Sequence, residues 1–462
     1  MIKRMLAVLG LVLALSAPAR ISVLAQTVIP NDNTVLKQII IFGRHSIRSS
    51  TVPLSALGQF AVRDWPAFEV PAGCLTPNGQ TAETYLGQYF RQYLTAEGLL
   101  ASNNDQQNAA QSYFRSNCIQ RSFNTAYYFW EGMIRDQGLT PVVHSYAIEA
   151  PSCSADPVFA TLETGVARVN PEIALSQVEG IYNTGDAMKE ACSAEFSLIL
   201  NALQPPNSSS NCPQESSTPC VDPTAGAITF STNSKPATGS IIELGALEAT
   251  LAAADPFVMQ YADNMTTAWG EWTPEQVSQH TRLLDLAFAI EDRTPYLSQV
   301  QSSNAASHVL RTMQNAVHGY NLAGSFGNAR SKMVVVISSD NYVAGLAGLL
   351  NLHWQLSGYQ PDYCAPGGAL VFELRQSKQT RRYLVRIYYT AQTFDQLRSL
   401  DPLTQDSPAT MQLFVPGGSI SATNLDVDFT AFQQLVKNAI NPNDVEFGPS
   451  PAPLPGPAAC QQ

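Results

Sequence analysis

The chain has 462 residues, 45% of them hydrophobic and only 14% charged, which excludes a disordered protein and leaves room for one large α/β domain plus a smaller one. A formal net charge of −11 excludes a nonspecific nucleic-acid binder, which needs a basic surface. The same charge repels anions, so a phosphate site has to be a local cluster of arginines working against the background.

Residues 1–25 read as a secretory signal peptide: Lys3 and Arg4 form a basic start, 5–15 are apolar, and small residues offer cleavage after Ala19 or Ala25. That apolar run is short for a bilayer span, and no other segment is longer and equally apolar. The expected mature chain is periplasmic or secreted, with no membrane attachment after cleavage. Eight cysteines suit that compartment, and none has a zinc-like spacing, so no metal is expected. Cys212 and Cys220 flank a short polar segment and are expected to bond to each other.

Next, Lys37-Gln38-Ile39-Ile40-Ile41-Phe42 reads as a buried strand that Gly43 breaks, followed by Arg44, His45 and Arg48. In an open α/β sheet, ligands bind at the carboxyl ends of strands. Arginine forks match tetrahedral oxyanions, and a histidine among them is a candidate nucleophile toward phosphorus. A solvated basic turn after a core strand is the plain alternative.

Thr76-Pro77 marks a helix start, and apolar residues at 82, 85, 86, 89, 90, 93 and 94 form its stripe. A second helix is predicted over 121–135 and a strand over 142–146, with His144 as a satisfied core or edge residue. Residues 155–325 then turn mostly helical around a polar loop at 205–239. A helix over 241–254 is expected to kink or stop at Pro256.

Strand character returns at Met333-Val334-Val335-Val336-Ile337, which ends in Ser338-Ser339-Asp340-Asn341 and leads into a helix through Leu349. Strands over 369–374 and 383–389, a short helix near Phe394, a strand over 411–414 and an amphipathic helix over 428–440 complete the pattern. This order predicts an α/β protein with a central mixed β-sheet flanked by helices and a smaller inserted, mainly helical domain. The expected boundaries are 35–154 with 326–448 for the α/β domain, 155–325 for the insert, and 449–462 for a flexible Pro-rich tail.

Taken together, these motifs resemble the histidine acid phosphatases, the branch of the histidine phosphatase superfamily that includes bacterial phytases and glucose-1-phosphatases. That family's first hallmark is Arg-His-Gly-x-Arg-x-Pro, which here stands as Arg44-His45-Ser46-Ile47-Arg48-Ser49-Ser50. Leu75-Thr76-Pro77-Asn78-Gly79, Gln120-Arg121-Ser122 and Ala155-Asp156-Pro157-Val158-Phe159 are similar to further family segments, in the family's order. So is the run from Asp340 through Pro366-Gly367-Gly368 to Glu373.

The resemblance implies an exported phosphomonoester hydrolase acting on a small-molecule phosphate ester without a cofactor. It implies that His45 forms a phosphohistidine, that Arg44, Arg48 and Arg121 bind the phosphoryl oxygens, and that Asp340 protonates the leaving alcohol. Asp340 read alone is a helix N-cap, and Arg121 read alone is a solvated helix-end arginine. The family's histidine before that aspartate is Ser339 here, which removes one imidazole donor to the phosphate. A catalytically impaired homologue that binds phosphorylated ligands is therefore the second reading, and an enzyme acting on a pyrophosphate bond a third.

Overall fold

A computed structural model describes residues 33–462 except 137, 149–154, 207–211, 213–218, 234–239, 404–407, 449 and 461–462. The expected signal peptide and Cys153 lie outside these residues. Twelve strands run β1 (Thr34–Arg44), β2 (Ser112–Ser116), β3 (Val143–His144), β4 (Ser231–Thr232), β5 (Ile242–Glu243), β6 (Met333–Ser338), β7 (Ala369–Ser377), β8 (Tyr383–Ala391), β9 (Ala409–Gln412), β10 (Ser419–Ser421), β11 (Asn424–Asp428) and β12 (Pro453–Leu454). Apart from the small β4–β5 ribbon they form one ten-stranded sheet of order β10-β11-β8-β7-β1-β6-β2-β3-β12, with β9 on β8. Pairing is parallel from β1 through β6 and β2 to β3, and antiparallel from β1 through β7 to β8. The mixed sheet flanked by helices is the architecture predicted.

Alternation along β1 explains why it is central. Ile39 and Ile41 point to one face, where they join Leu86, Phe90, Phe129 and Trp130. Those residues belong to α2 (Pro77–Ala96) and α4 (Gln120–Met133), with α1 (Leu54–Leu57) and α3 (Asp105–Ala110) as short connectors. Ile40 and Phe42 point to the other face and join Val309, Leu310 and Leu346. A strand with both faces covered has to be apolar at successive positions, which is how this run reads. Contrary to expectation, Gly43 does not break it: Gly43 pairs with Ile337 and Ala369, and a Cβ there would stand 3.1 Å from Ile337 Cδ1.

The mostly helical stretch carries α5 (Pro171–Tyr182), α6 (Gly185–Ala191), α7 (Ser193–Leu203), α8 (Ala246–Ala262), α9 (Pro274–Glu291) and α10 (Pro295–His318). A separate apolar core joins Val178, Phe196, Ile199, Phe257 and Leu283 here, and also takes in Leu57, Ala61 and Trp65 from earlier in the chain. Pro256 does not stop the helix, because α8 begins at Ala246 and continues through the proline. Phe257, Met259, Gln260 and Ala262 beyond it are all buried, and that packing outweighs the missing backbone donor. Three helices follow β6: α11 (Asp340–Leu349), α12 (Phe394–Ser399) and α13 (Phe429–Ala439).

Cys212 and Cys220 are bonded as expected, and a second disulfide joins Cys74 to Cys460. The tail, expected to be loose unless Cys460 ties it down, is fastened at its described residues. β12 pairs with β3, Ala458 N donates to Asn124 Oδ1 at 2.7 Å, and Cys460 is bonded. His144 is satisfied within the sheet, with β2 on one side of its strand and β12 on the other, its Nδ1 3.0 Å from the Phe114 carbonyl and its ring stacked on Tyr113.

Candidate active site

Parallel register places the two sequence motifs side by side. Arg44, the last residue of β1, lies opposite Ser338, the last of β6, and the His45 amide donates to the Ser338 carbonyl at 2.8 Å. Ser339 is the N-cap of α11 and Asp340 its first residue, so the capping reading of Asp340 shifts by one position. β2 is the next parallel neighbour, and the chain beyond it turns into α4 with Arg121 in the first turn. His45, Ser339, Asp340 and Arg121 thus gather at the carboxyl ends of adjacent parallel strands.

The loop after β1 is laced to residues 71–76. Ser49 N donates to Cys74 O at 2.9 Å, Thr76 N to Ile47 O at 3.0 Å and Gly73 N to Ser50 O at 2.7 Å. Thr76 caps α2 by accepting from Gly79 N, as the sequence predicts. At Gly79 a Cβ would come within 2.3 Å of the Ile47 carbonyl, so only glycine lets α2 approach this loop so closely. Ser46 N donates to Thr125 Oγ1 at 3.0 Å, and Gly367, at φ +68°, donates its amide to the His45 carbonyl at 3.0 Å.

Within this frame His45 is buried and its Nδ1 lies 2.8 Å from the Ser46 carbonyl. A carbonyl only accepts, so Nδ1 carries the proton and the Nε2 lone pair is left for chemistry. Burial first, then the charges of Arg121, Arg44 and Arg48, hold the imidazole well below its usual protonation range. His45 is therefore neutral in weak acid, as a nucleophile has to be.

Arg44 is buried, donating from Nη1 to the Cys364 carbonyl at 2.5 Å and from Nη2 to Asp340 Oδ2 at 3.0 Å. Arg48 makes a two-pronged contact with Asp255 of α8, at 3.0 and 2.6 Å. Asp255 also accepts from Thr51 N and Ser50 Oγ, and these contacts outweigh burial to hold its carboxyl down to about 2. Arg121 is partly buried, not a solvated helix end, and donates to the Gly73 carbonyl at 3.3 Å. Asp156 has a structural place, forming a buried ion pair with Arg115 at 2.6 Å.

Two carboxylates here escape sequence reading. Asp255 lies in a stretch read only as the end of a helix. Glu83, fully buried on α2 behind the loop, has its carboxyl pushed up to about 8 by burial, with the Ser46 hydroxyl acting in the opposite direction. Its Oε1 would stand 2.3 Å from a Cβ at Gly367, where the left-handed backbone already favours glycine.

The profile described as "Histidine phosphatase superfamily (branch 2)" matches residues 34–164 and 249–390. This chain belongs to that superfamily. Phytase AppA of Escherichia coli (strain K12) is 27% identical over 386 residues, covering 81% of this chain and 84% of its own. A glucose-1-phosphatase of Providencia rettgeri is 24% identical and covers 86% and 91% of the two chains. In three dimensions the phytase of Hafnia alvei, solved with tartrate, superposes with a TM-score of 0.76 at 23% identity, over 90% of this chain and all of that one. The family resemblance read from the motifs is borne out, and the superposition supports the histidine phosphatase fold.

Proposed function

We propose that this chain is an exported phosphomonoester hydrolase working through a phosphohistidine on His45. The observation that carries this reading is the convergence of a neutral, Nδ1-protonated His45 with Arg44, Arg48, Arg121 and Asp340 at the ends of adjacent strands. The phosphoryl group sits among the three guanidiniums, which match its tetrahedral oxygens and take up the charge that builds in the transition state. His45 Nε2 attacks phosphorus as the ester P–O bond breaks, and Asp340 gives its proton to the leaving alkoxide.

Asp340 spends the resting state against Arg44. An arriving phosphoryl group takes over that guanidinium and frees the carboxyl to carry and deliver a proton. In the second half, Asp340 takes a proton from water, the water oxygen attacks phosphorus, and the P–N bond to His45 breaks. Ser339 is mostly buried beside Asp340, and its hydroxyl is the donor available at that point of the site. The Cys74–Cys460 and Cys212–Cys220 disulfides fit an oxidising compartment, and with it the periplasmic or secreted location.

The second reading, a homologue that binds phosphorylated ligands without turnover, rests on Ser339 standing where the family has an imidazole. Loss of one donor to a developing oxyanion costs on the order of 10²–10³ in rate, so a slowed enzyme is the expected result. Steady-state hydrolysis of p-nitrophenyl phosphate by the purified protein tests the choice. Turnover with a trapped phosphohistidine supports the hydrolase, and tight phosphate binding with no turnover supports the binding protein.

A further inference from the structure

The cleft over the strand ends has two unlike sides. Arg44, Arg48 and Asp340 line one side, and α8 and α9 supply the other. The helical side offers Leu251, Ala252, Val258 and Leu284, with Glu248 exposed at the rim. Two acids, Asp255 and Glu248, are its charged groups, and Asp255 is held ionised. His280 adds no positive charge: it is buried, its Nδ1 lies 2.9 Å from the Val277 carbonyl, and burial pushes it down to about 4.

Among the described residues lining the cleft the cations are Arg44 and Arg48, and both are already matched to carboxylates. Its volume, about 320 Å³, is at the small end for ligand sites. We propose that the leaving-group side of this cleft takes one small, uncharged, partly apolar alcohol, so that the substrates are monoesters bearing a single phosphate and not polyphosphorylated rings. The inference rests on the phosphatase reading and goes on to name the substrate class.

The reason is electrostatic. One phosphate uses the guanidiniums that the strand ends provide. Further phosphates on the same ring are driven toward Glu248 and Asp255, where like charges meet in a partly desolvated space and, among the described lining residues, the nearby cation is Arg48, already held by Asp255. The net charge of −11 opposes a polyanion at longer range. An apolar ring face, in contrast, has Leu251, Val258 and Leu284 to lie against.

The test uses matched esters on the full mature chain. myo-Inositol monophosphate and phytate share a ring and a leaving-group type but differ in charge. The monophosphate is expected to have the higher kcat/KM, on the order of 10²-fold at low salt. Cyclohexyl phosphate, which lacks the hydroxyls, should show a KM about tenfold below that of inositol monophosphate. Glu248→Lys should narrow the phytate gap by about tenfold, and added salt should erase that gain. Phytate hydrolysed as well as the monophosphate, with monophosphates turned over normally, overturns the inference and leaves the phosphatase standing. If no ester turns over, the phosphatase reading falls and calorimetry with the same ligands decides the cleft: phytate binding more tightly than cyclohexyl phosphate overturns the proposal, and weaker binding upholds it.

Discussion

The strand-end side and the helical side of the cleft are built by different means. On the strand side, Arg44, His45, Ser339 and Asp340 follow directly from β1 and β6, and parallel register fixes their mutual positions. On the helical side, Asp255 and Glu248 come from α8 and His280 from α9, helices held by their own apolar core. The first side offers a compact cationic cradle with a neutral imidazole. The second offers apolar surface with acids. The difference teaches that, on the proposed reading, phosphoryl chemistry and leaving-group choice rest on separate elements, with the Arg48–Asp255 pair as one of the contacts that join them.

The strand side can be broken outright. His45→Ala should lower turnover of p-nitrophenyl phosphate by on the order of 10⁴-fold or more, with an unchanged far-UV spectrum, since removal of a nucleophile is the costliest change to such a site. A variant keeping the wild-type rate would end the phosphohistidine reading. Asp340→Asn should come next. It is expected to slow alkyl esters by on the order of 10²–10³-fold and aryl esters much less, because a good leaving group needs little protonation. Equal losses for both ester types would remove Asp340 from the role of proton donor.

Behind the strand side, Glu83 gives a stability effect with a definite sign. Its folded value of about 8 lies above the ordinary 4.5, so the folded state is penalised as pH rises from about 4.5 to about 8. Glu83→Gln should therefore match the wild type near pH 4 and exceed it at pH 8, by on the order of 4 kcal/mol. Denaturant midpoints at the two pH values check this, and a gap that shrinks with rising pH contradicts it.

The junction of the two sides is the smallest effect. Asp255 is held at about 2, below the usual 3.8, so its contribution is present above the unfolded value and fades as pH falls toward 2. Asp255→Asn should cost about 2 kcal/mol at pH 7, and the difference should close between about pH 4 and pH 2. A cost independent of pH would mean that the pair does not join the sides electrostatically.

What could be read from the sequence divides along the same line. The strand side is written in contiguous residues: an apolar run, then Arg44-His45, and later Ser339-Asp340. The Thr76 cap and the Cys212–Cys220 bond were equally local signals, and both are present. Asp255 is illegible locally because its partner Arg48 lies 207 residues away, and Pro256 next to it signals only the end of a helix. Glu83 lies beside the apolar stripe of its helix and not in it, and the approach of Gly367 shows what it faces. Gly43 reads as a strand break for a related reason, since a close contact between strands leaves no trace in a single strand.

The Cys74–Cys460 bond ties the segment laced to the loop after β1 to a residue 386 positions downstream. In time, this makes the first-made part of the site the last to be secured. A chain emerging from its N-terminus carries His45 early, while the 71–76 segment that holds its loop waits for the final stretch of polypeptide. Loss of the residues after Gly448 would leave every proposed catalytic group in place and still release that segment. Such a truncation should show a raised KM and easier cleavage near Gly73 in limited proteolysis, and a fragment as resistant as the whole chain would mean that the clasp is dispensable.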